Sequence, residues 1–263
     1  MMIGIRMSVK SAASNISDNV LYNRDFKVKY FFELLPKKIG QDKQQIYKVC
    51  KFQDYAPNVF QKIRALYNIT DDEYLKSIGP DQLFSSLVKG DFNSFTQLTS
   101  TGKSGSFFYY TADGKFTLKT INRTEFNHLK QILKNYYEHL QNNKNTLIIK
   151  FFGLHKIKLR MKKSMNEQIV CFVIMGNVFH TRKYINEKFD LKGSKYGRIT
   201  KQSLLKSKGI TFKDLDFINK SRKLNVKNNQ YVEFMNIIKK DAQFFEENNI
   251  IDYSLLVGIH HKV

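Results

Sequence analysis

The chain has 263 residues, 42% hydrophobic and 14% aromatic, and 44 Lys and Arg against 23 Asp and Glu give a formal charge of +21. A disordered chain is excluded, and the length suffices for the core of one two-lobed domain or two small ones. The two cysteines, Cys50 and Cys171, stand far apart among apolar or aromatic neighbours, as buried thiols do, so neither a disulfide scaffold nor a zinc site is expected.

In chain order, residues up to about 25 are rich in Ser, Asn and charge and read as a loose tail without the apolar segment of a signal peptide. Pro57 opens a helical pattern that places Phe60, Ile63 and Tyr67 on one face, and Thr70 with Glu73 has the spacing of a capping box. Residues 102–111, Gly-Lys-Ser-Gly-Ser-Phe-Phe-Tyr-Tyr-Thr, lead through Asp113-Gly114 into Phe116-Thr117-Leu118-Lys119-Thr120-Ile121, a β-hairpin with its turn at Asp-Gly. Asn122 and Glu125 have N-cap and N3 spacing, and Phe126, Leu129, Leu133, Tyr136 and Leu140 then recur every three or four residues, predicting an amphipathic helix. Strand-like runs follow at 147–159, interrupted by Gly153, and at 168–175, so this part of the chain is an α+β unit. Further on, Tyr231, Met235, Ile238, Ala242 and Phe245 line one helical face, Asn248-Asn249 ends that helix, and residues 250–259 read as an apolar strand containing a single carboxylate, Asp252. No run of about 18 apolar residues occurs, so membranes are touched, if at all, from a cytosolic surface.

Several of these residues carry chemistry. A glycine-rich hairpin whose second strand presents one lysine can cover a triphosphate with backbone N–H groups and pair a cation with its oxygens. Gly102, Ser104, Gly105 and Ser106 are the loop candidates and Lys119 is the cation; a surface hairpin with a solvated lysine is the plainer alternative. The loop is not a Walker A sequence, because Gln97 stands where the first glycine belongs. Glu125 fits either of two roles, the orienting partner of Lys119 or a helix cap. Asp190, followed by Lys192-Gly193-Ser194, suits a carboxylate that takes the proton of a hydroxyl nucleophile beside a lysine that neutralises a transferring phosphoryl group. Asp252 sits among Ile250, Ile251, Leu255 and Leu256, and a carboxylate inside a buried strand needs either a magnesium ion bridging ATP phosphates or a local salt bridge. Hairpin, lysine, helix glutamate, catalytic aspartate and metal aspartate follow one another as in kinase lobes, without the His-Arg-Asp and Asp-Phe-Gly signatures of protein kinases.

Phe-Asp-Leu-Lys-Gly-Ser (189–194), Thr-Phe-Lys-Asp-Leu-Asp-Phe (211–217) and Ile-Asp-Tyr-Ser-Leu-Leu-Val-Gly-Ile-His (251–260) closely resemble the phosphatidylinositol phosphate kinase family, as do Ser104–Tyr109, Lys119-Thr120, Asn145–Leu147, Phe152–Leu154 and Tyr55–Pro57 with Val59-Phe60. The resemblance runs from about residue 26 to the end. It implies a two-lobed α+β kinase with antiparallel sheets in each lobe, a loose tail over 1–25, an N-terminal lobe over 26–175 and a partial C-terminal catalytic lobe over 176–263. By the same resemblance Lys119 meets the ATP phosphates, Asp190 and Lys192 are catalytic, Asp252 binds Mg2+, and Met175 to Asn177 meets adenine. A phosphatidylinositol phosphate, an anionic membrane surface at the cytoplasmic face and a homodimer are the implied partners, and the basic charge suits the membrane. The chain departs from the family pattern at Gly176, at Lys195-Tyr196-Gly197-Arg198, and in ending at Val263 before the family's substrate-selecting loop, so the C-terminal lobe is expected to be incomplete. A catalytically incomplete phosphoinositide- or nucleotide-binding module is the second reading. An RNA-binding protein is disfavoured by the lack of a Lys/Arg-Gly-Phe-type aromatic motif.

Overall fold

A computed structural model describes residues 2–15, 20–34, 47–78, 108–161, 167–204 and 209–261. They form two compact units, one comprising Met1–Lys144 and Ile149–Asn177, the other Asn145–Ile148 and Val178–Val263. The fold is α+β. The glycine-rich stretch 102–106 lies outside the described residues, as does the Cys50 side chain, whereas Cys171 is a buried free thiol.

The first unit is built on strands β1 (Lys29–Leu34), β2 (Tyr47–Tyr55), β3 (Phe108–Tyr110), β4 (Phe116–Ile121), β5 (Phe151–Met161) and β6 (Glu167–Gly176). They pair in the order β1-β2-β5-β6-β4-β3, antiparallel throughout. Phe52, Leu154, Phe172 and Ile174 are fully buried in this sheet. The helix α4 (Arg123–Asn142) buries Phe126, Leu129, Leu133, Tyr136 and Leu140, the five positions its periodicity predicts. Gly153 does not end a strand. It sits at a ladder irregularity within β5, where a Cβ would collide with the His155 ring.

The Tyr136 hydroxyl donates to the Ile149 carbonyl at 2.7 Å and accepts from Phe151 N at 2.8 Å, so one side chain satisfies both backbone groups at the start of β5. Tyr136→Phe removes the partner of a partly buried N–H and C=O and is expected to cost about 1–3 kcal/mol. Urea unfolding of the purified variant measures it, and an unchanged midpoint would show that water replaces the hydroxyl.

The N-terminal segment is not a loose tail. Met2–Asn15 forms helix α1, which buries Ile5, Val9 and Ala12 and packs on β1, β2, α2 (Pro57–Leu66) and α3 (Asp71–Ile78). Gly4 makes this possible, since a Cβ there would overlap the Phe52 ring. Beneath α1, Ser8 donates to one oxygen of Asp54, and His155 Nδ1 lies 2.9 Å from the other. The capping box at α3 is formed as expected, with Glu73 N donating to Thr70 Oγ1 and Thr70 N to the Glu73 carboxylate.

The second unit holds strands β7 (Glu187–Leu191), β8 (Thr211–Phe212) and β9 (Leu255–Ile259) with helices α5 (Asp214–Asn219) and α6 (Asn228–Glu247). The sheet order is β8-β7-β9. β9 is antiparallel to β7, and the two-residue β7–β8 pair is parallel, an addition to the antiparallel arrangement expected. The predicted face of α6 is only half covered. Tyr231 is exposed, Met235, Ile238, Ala242 and Phe245 are half-buried, and the buried residues are Phe244 and Asp241. Asp241 accepts from Thr146 Oγ1 at 2.5 Å and from Leu147 N at 2.7 Å, which explains why 145–148 belongs to this unit and not to β5 as predicted. Asn249, at φ 53°, closes α6 in a Schellman turn, with Asn249 N donating to Glu246 O and Ile250 N to Phe245 O. Among the described residues no helix is long and apolar enough to cross a membrane.

Candidate active site

The sequence-predicted residues fall into two groups, one in each unit. In the first unit the hairpin β3–β4 forms as expected, with Gly114 at φ 71° and Asp113 Oδ1 accepting from Thr111 Oγ1, Ser77 Oγ and Lys115 N. Lys119 pairs in register with Phe108 on one side and Val173 on the other. Its half-buried side chain holds Nζ 5.7 Å from the Phe108 ring centroid. Glu125 serves as the helix cap. Its carboxylate accepts from Asn122 N at 2.8 Å while its own N–H donates to Asn122 Oδ1, and among the described residues no ion pair joins it to Lys119. Met175 sits in the β6 ladder opposite Thr117 and Phe151. Gly176 is held too, its N–H bonded to Lys150 O and its Cα facing the Phe152 ring, where a Cβ would approach to 3.3 Å. Asn177 spends its main-chain N–H on Lys115 O and its side-chain amide on Gly114 O, fixing the hairpin turn.

In the second unit, the pairing of β7 with β9 decides which residues meet. Asp190 lies opposite Leu256 and Leu191 opposite Leu255, so the chain entering β9 passes beside the residue that leaves β7. Lys192 and Asp252 meet there, Nζ to Oδ1 at 2.5 Å. Asp252 is not inside a buried strand. β9 begins only at Leu255, and Asp252 precedes it in a left-handed turn at φ 61° with its side chain 75% exposed. Its desolvation is slight, and Lys192 is its ion-pair partner. The Lys192 hydrogen bond, with the charge behind it, holds the Asp252 carboxyl below the usual carboxylate range.

Asp190 is half-buried. Its main-chain carbonyl accepts from Arg198 Nη2, and its Oδ2 lies 3.5 Å from the same nitrogen. Its other oxygen is buried with no hydrogen-bond partner among the described residues. A hydroxyl donor or a hard cation is what such an oxygen lacks. Asp252 has the chemistry of a Mg2+ ligand, which usually takes one or two carboxylates together with phosphate oxygens. No cluster of three or more His, Cys, Asp or Glu suited to a metal occurs among the described residues.

Two residues escaped the sequence reading. Asp214, at the start of α5, accepts from Lys192 N at 2.9 Å, Gly193 N at 2.8 Å and Arg198 Nε at 2.7 Å. Arg198 bridges Asp214 to Asp190. The available signal was the pair of carboxylates in 211–217, an acidic first helical turn following a strand. The neighbouring Asp216 accepts from Thr200 N, Thr200 Oγ1 and Lys213 N. Glu187 gathers Lys220 at 3.0 Å, Arg222 at 2.7 Å and His261 at 3.4 Å.

Burial raises the carboxyls of Asp214, Asp216 and Glu187, but their donors outweigh it and hold all three below the usual range. A folded-state pKa below the unfolded one contributes stability above the unfolded value, near pH 4, that is lost as pH falls through the folded value. The second unit is therefore expected to keep its aromatic near-UV dichroism at pH 5 and to lose it below about pH 4. A signal that stays flat to about pH 2 would mean these bonds do not support the fold.

The phosphatidylinositol-4-phosphate 5-kinase family model matches residues 90–263. This α+β chain, with an aspartate and a lysine at the end of β7, belongs to that family. It is similar over its whole length to the phosphatidylinositol 4-phosphate 5-kinase of Plasmodium falciparum, at 35% identity over 100% of this chain and 15% of the relative. A probable phosphatidylinositol phosphate kinase of Dictyostelium discoideum is 41% identical over 80% of this chain and 28% of its own length. A Schizosaccharomyces pombe phosphatidylinositol 4-phosphate 5-kinase is 35% identical over 99% and 33% respectively. The chain thus spans a third or less of each of these relatives.

Proposed function

We propose that this chain carries the catalytic machinery of an ATP-dependent lipid kinase that phosphorylates the headgroup of a phosphatidylinositol phosphate. The observation that carries the reading is the arrangement at the end of β7, where Asp190 keeps one buried carboxylate oxygen without a hydrogen-bond partner among the described residues, close in sequence to the Lys192–Asp252 pair. An inositol hydroxyl attacks the γ-phosphorus of ATP, the bond to the bridging oxygen breaks, and ADP leaves. Asp190 receives the hydroxyl proton, and Lys192 neutralises charge on the transferred phosphoryl group. Lys119 pairs with ATP phosphate oxygens, with Gly102, Ser104, Gly105 and Ser106 as the loop over them and Met175 to Asn177 at the adenine end. Asp252 would hold Mg2+, which when bound would supply charge neutralisation at the phosphates, and Lys192 would face the transferring phosphoryl group in place of Asp252. An anionic membrane at the cytoplasmic face is the partner that the +21 charge favours, and the homodimer remains part of the proposal.

The test is incubation of the full chain with radiolabelled ATP, Mg2+ and vesicles carrying each phosphatidylinositol monophosphate in turn. Label in a bisphosphate product that is lost in Asp252→Asn supports the kinase and identifies its substrate. Binding of ATP or vesicles without label would replace it with the binding-module reading.

A further inference from the structure

The ladder between β7 and β9 ends at the Leu191–Leu255 pair, so Lys192 is the first residue that the sheet no longer holds. Gly193 beyond it adopts φ 71°, a conformation that favours glycine, in a place where an added Cβ would meet nothing within 4 Å. A segment freed from a ladder, with a glycine in its middle, is the kind of backbone that fluctuates unless something else pins it. Asp214 takes up both freed N–H groups with a single oxygen, Oδ1. Its Oδ2 holds Arg198, whose far end reaches the Asp190 carbonyl and carboxylate. The Asp214 and Arg198 side chains are 10% and 12% exposed, so these charge-assisted bonds are largely shielded from water.

We propose that Asp214 is a positioning residue that clamps the 190–193 loop at both ends, through the backbone of Lys192 and Gly193 and through Arg198 at Asp190. It touches no reacting atom; it fixes where Asp190 and Lys192 stand. This rests on the reading of Asp190 and Lys192 as the reactive pair. Asp216 provides the internal comparison. It lies on the same helical turn and secures Thr200, but makes no bond to 190–193.

Asp214→Ala, Asp214→Asn, Asp216→Asn and Asp190→Asn are assayed for kcat and KM of ATP, and for hydrogen exchange at the Lys192 and Gly193 amides. Displacement of the reacting groups by about 1 Å predicts a loss of roughly 100-fold in kcat for Asp214→Ala with KM nearly unchanged. Asp214→Asn keeps an oxygen for the two amides but opposes its amide to Arg198, and falls between Ala and the parent. Asp216→Asn lowers the melting temperature and leaves kcat unchanged. Exchange at Lys192 and Gly193 quickens at least tenfold in Asp214→Ala while Phe189 and Val257 in the ladder stay protected. Should Asp214→Ala fail to fold, Asp214→Asn is read by the same criteria. Asp190→Asn abolishing turnover while the folded Asp214 variant stays within threefold of the parent would overturn the clamp. Turnover surviving in Asp190→Asn, or absent from the parent chain, would sink the catalytic reading alone, and the exchange data then decide: unchanged rates at Lys192 and Gly193 refute the clamp.

Discussion

On the proposed mechanism, Asp190→Asn is expected to lower phosphoryl transfer by roughly 10²–10⁴-fold, the range for removing a group that accepts a proton in the transition state. The substitution is close to isosteric. Arg198 keeps its bond to the residue 190 carbonyl, and the ladder to Leu256 uses backbone alone, so the strand has no reason to move. What changes is the side-chain oxygen without a partner among the described residues, which passes from a basic carboxylate to a weakly basic amide. The melting temperature should stay within a few degrees, and KM for ATP should change little, because loss of an interaction made only in the transition state appears in kcat. Turnover within threefold of the parent would remove Asp190 from the chemistry.

Arg64→Leu should be the most damaging single change in the first unit. Arg64 is buried, donates to the Phe152 carbonyl at 3.1 Å, reaches Asp71 Oδ1 at 2.9 Å through Nη2 and lies 4.4 Å above the Tyr74 ring. It ties α2 to α3 and to β5 at once. Leucine fills part of the space but leaves the Phe152 carbonyl short of a donor and the Asp71 carboxylate, 24% exposed, without its counter-ion. Breaking one half of a buried pair costs about 3–5 kcal/mol, a large part of the stability of a typical domain. Denaturant titration followed by far-UV dichroism measures the loss. A cost below about 1 kcal/mol would mean that Asp71 turns to water at no penalty.

Where one rule governed a stretch, the sequence was readable. The α4 face and its capping box depend on spacing alone, and both formed. The Asp113-Gly114 turn depends on local chemistry, and it formed too. The errors share a different origin. Ile5, Val9 and Ala12 carry a helical period of their own, but the Ser and the basic residues between them mask it, and the partner that makes α1 stable is Phe52, distant in sequence. The apolar neighbours of Asp252 predict a strand. The left-handed turn that frees its side chain is set by the pairing of β9 with β7 and by Lys192. Asp214 went unrecognised because its role lies in accepting N–H groups from a loop 21 and 22 residues earlier, and no local pattern encodes that distance.

The four residues 145–148 carry a consequence for how the polypeptide is made. The chain passes from the first unit to the second at 144, returns at 148 and leaves again at 177. The carboxylate that fixes Thr146 and Leu147 is supplied by Asp241, 95 and 94 residues later. During synthesis the strands on both sides of 145–148 emerge and can pair long before that carboxylate leaves the ribosome, at a few residues to a few tens per second. Those strands can therefore pair while Asp241 has yet to be translated, and a fragment cut at 177 would lack the carboxylate that binds Thr146 and Leu147.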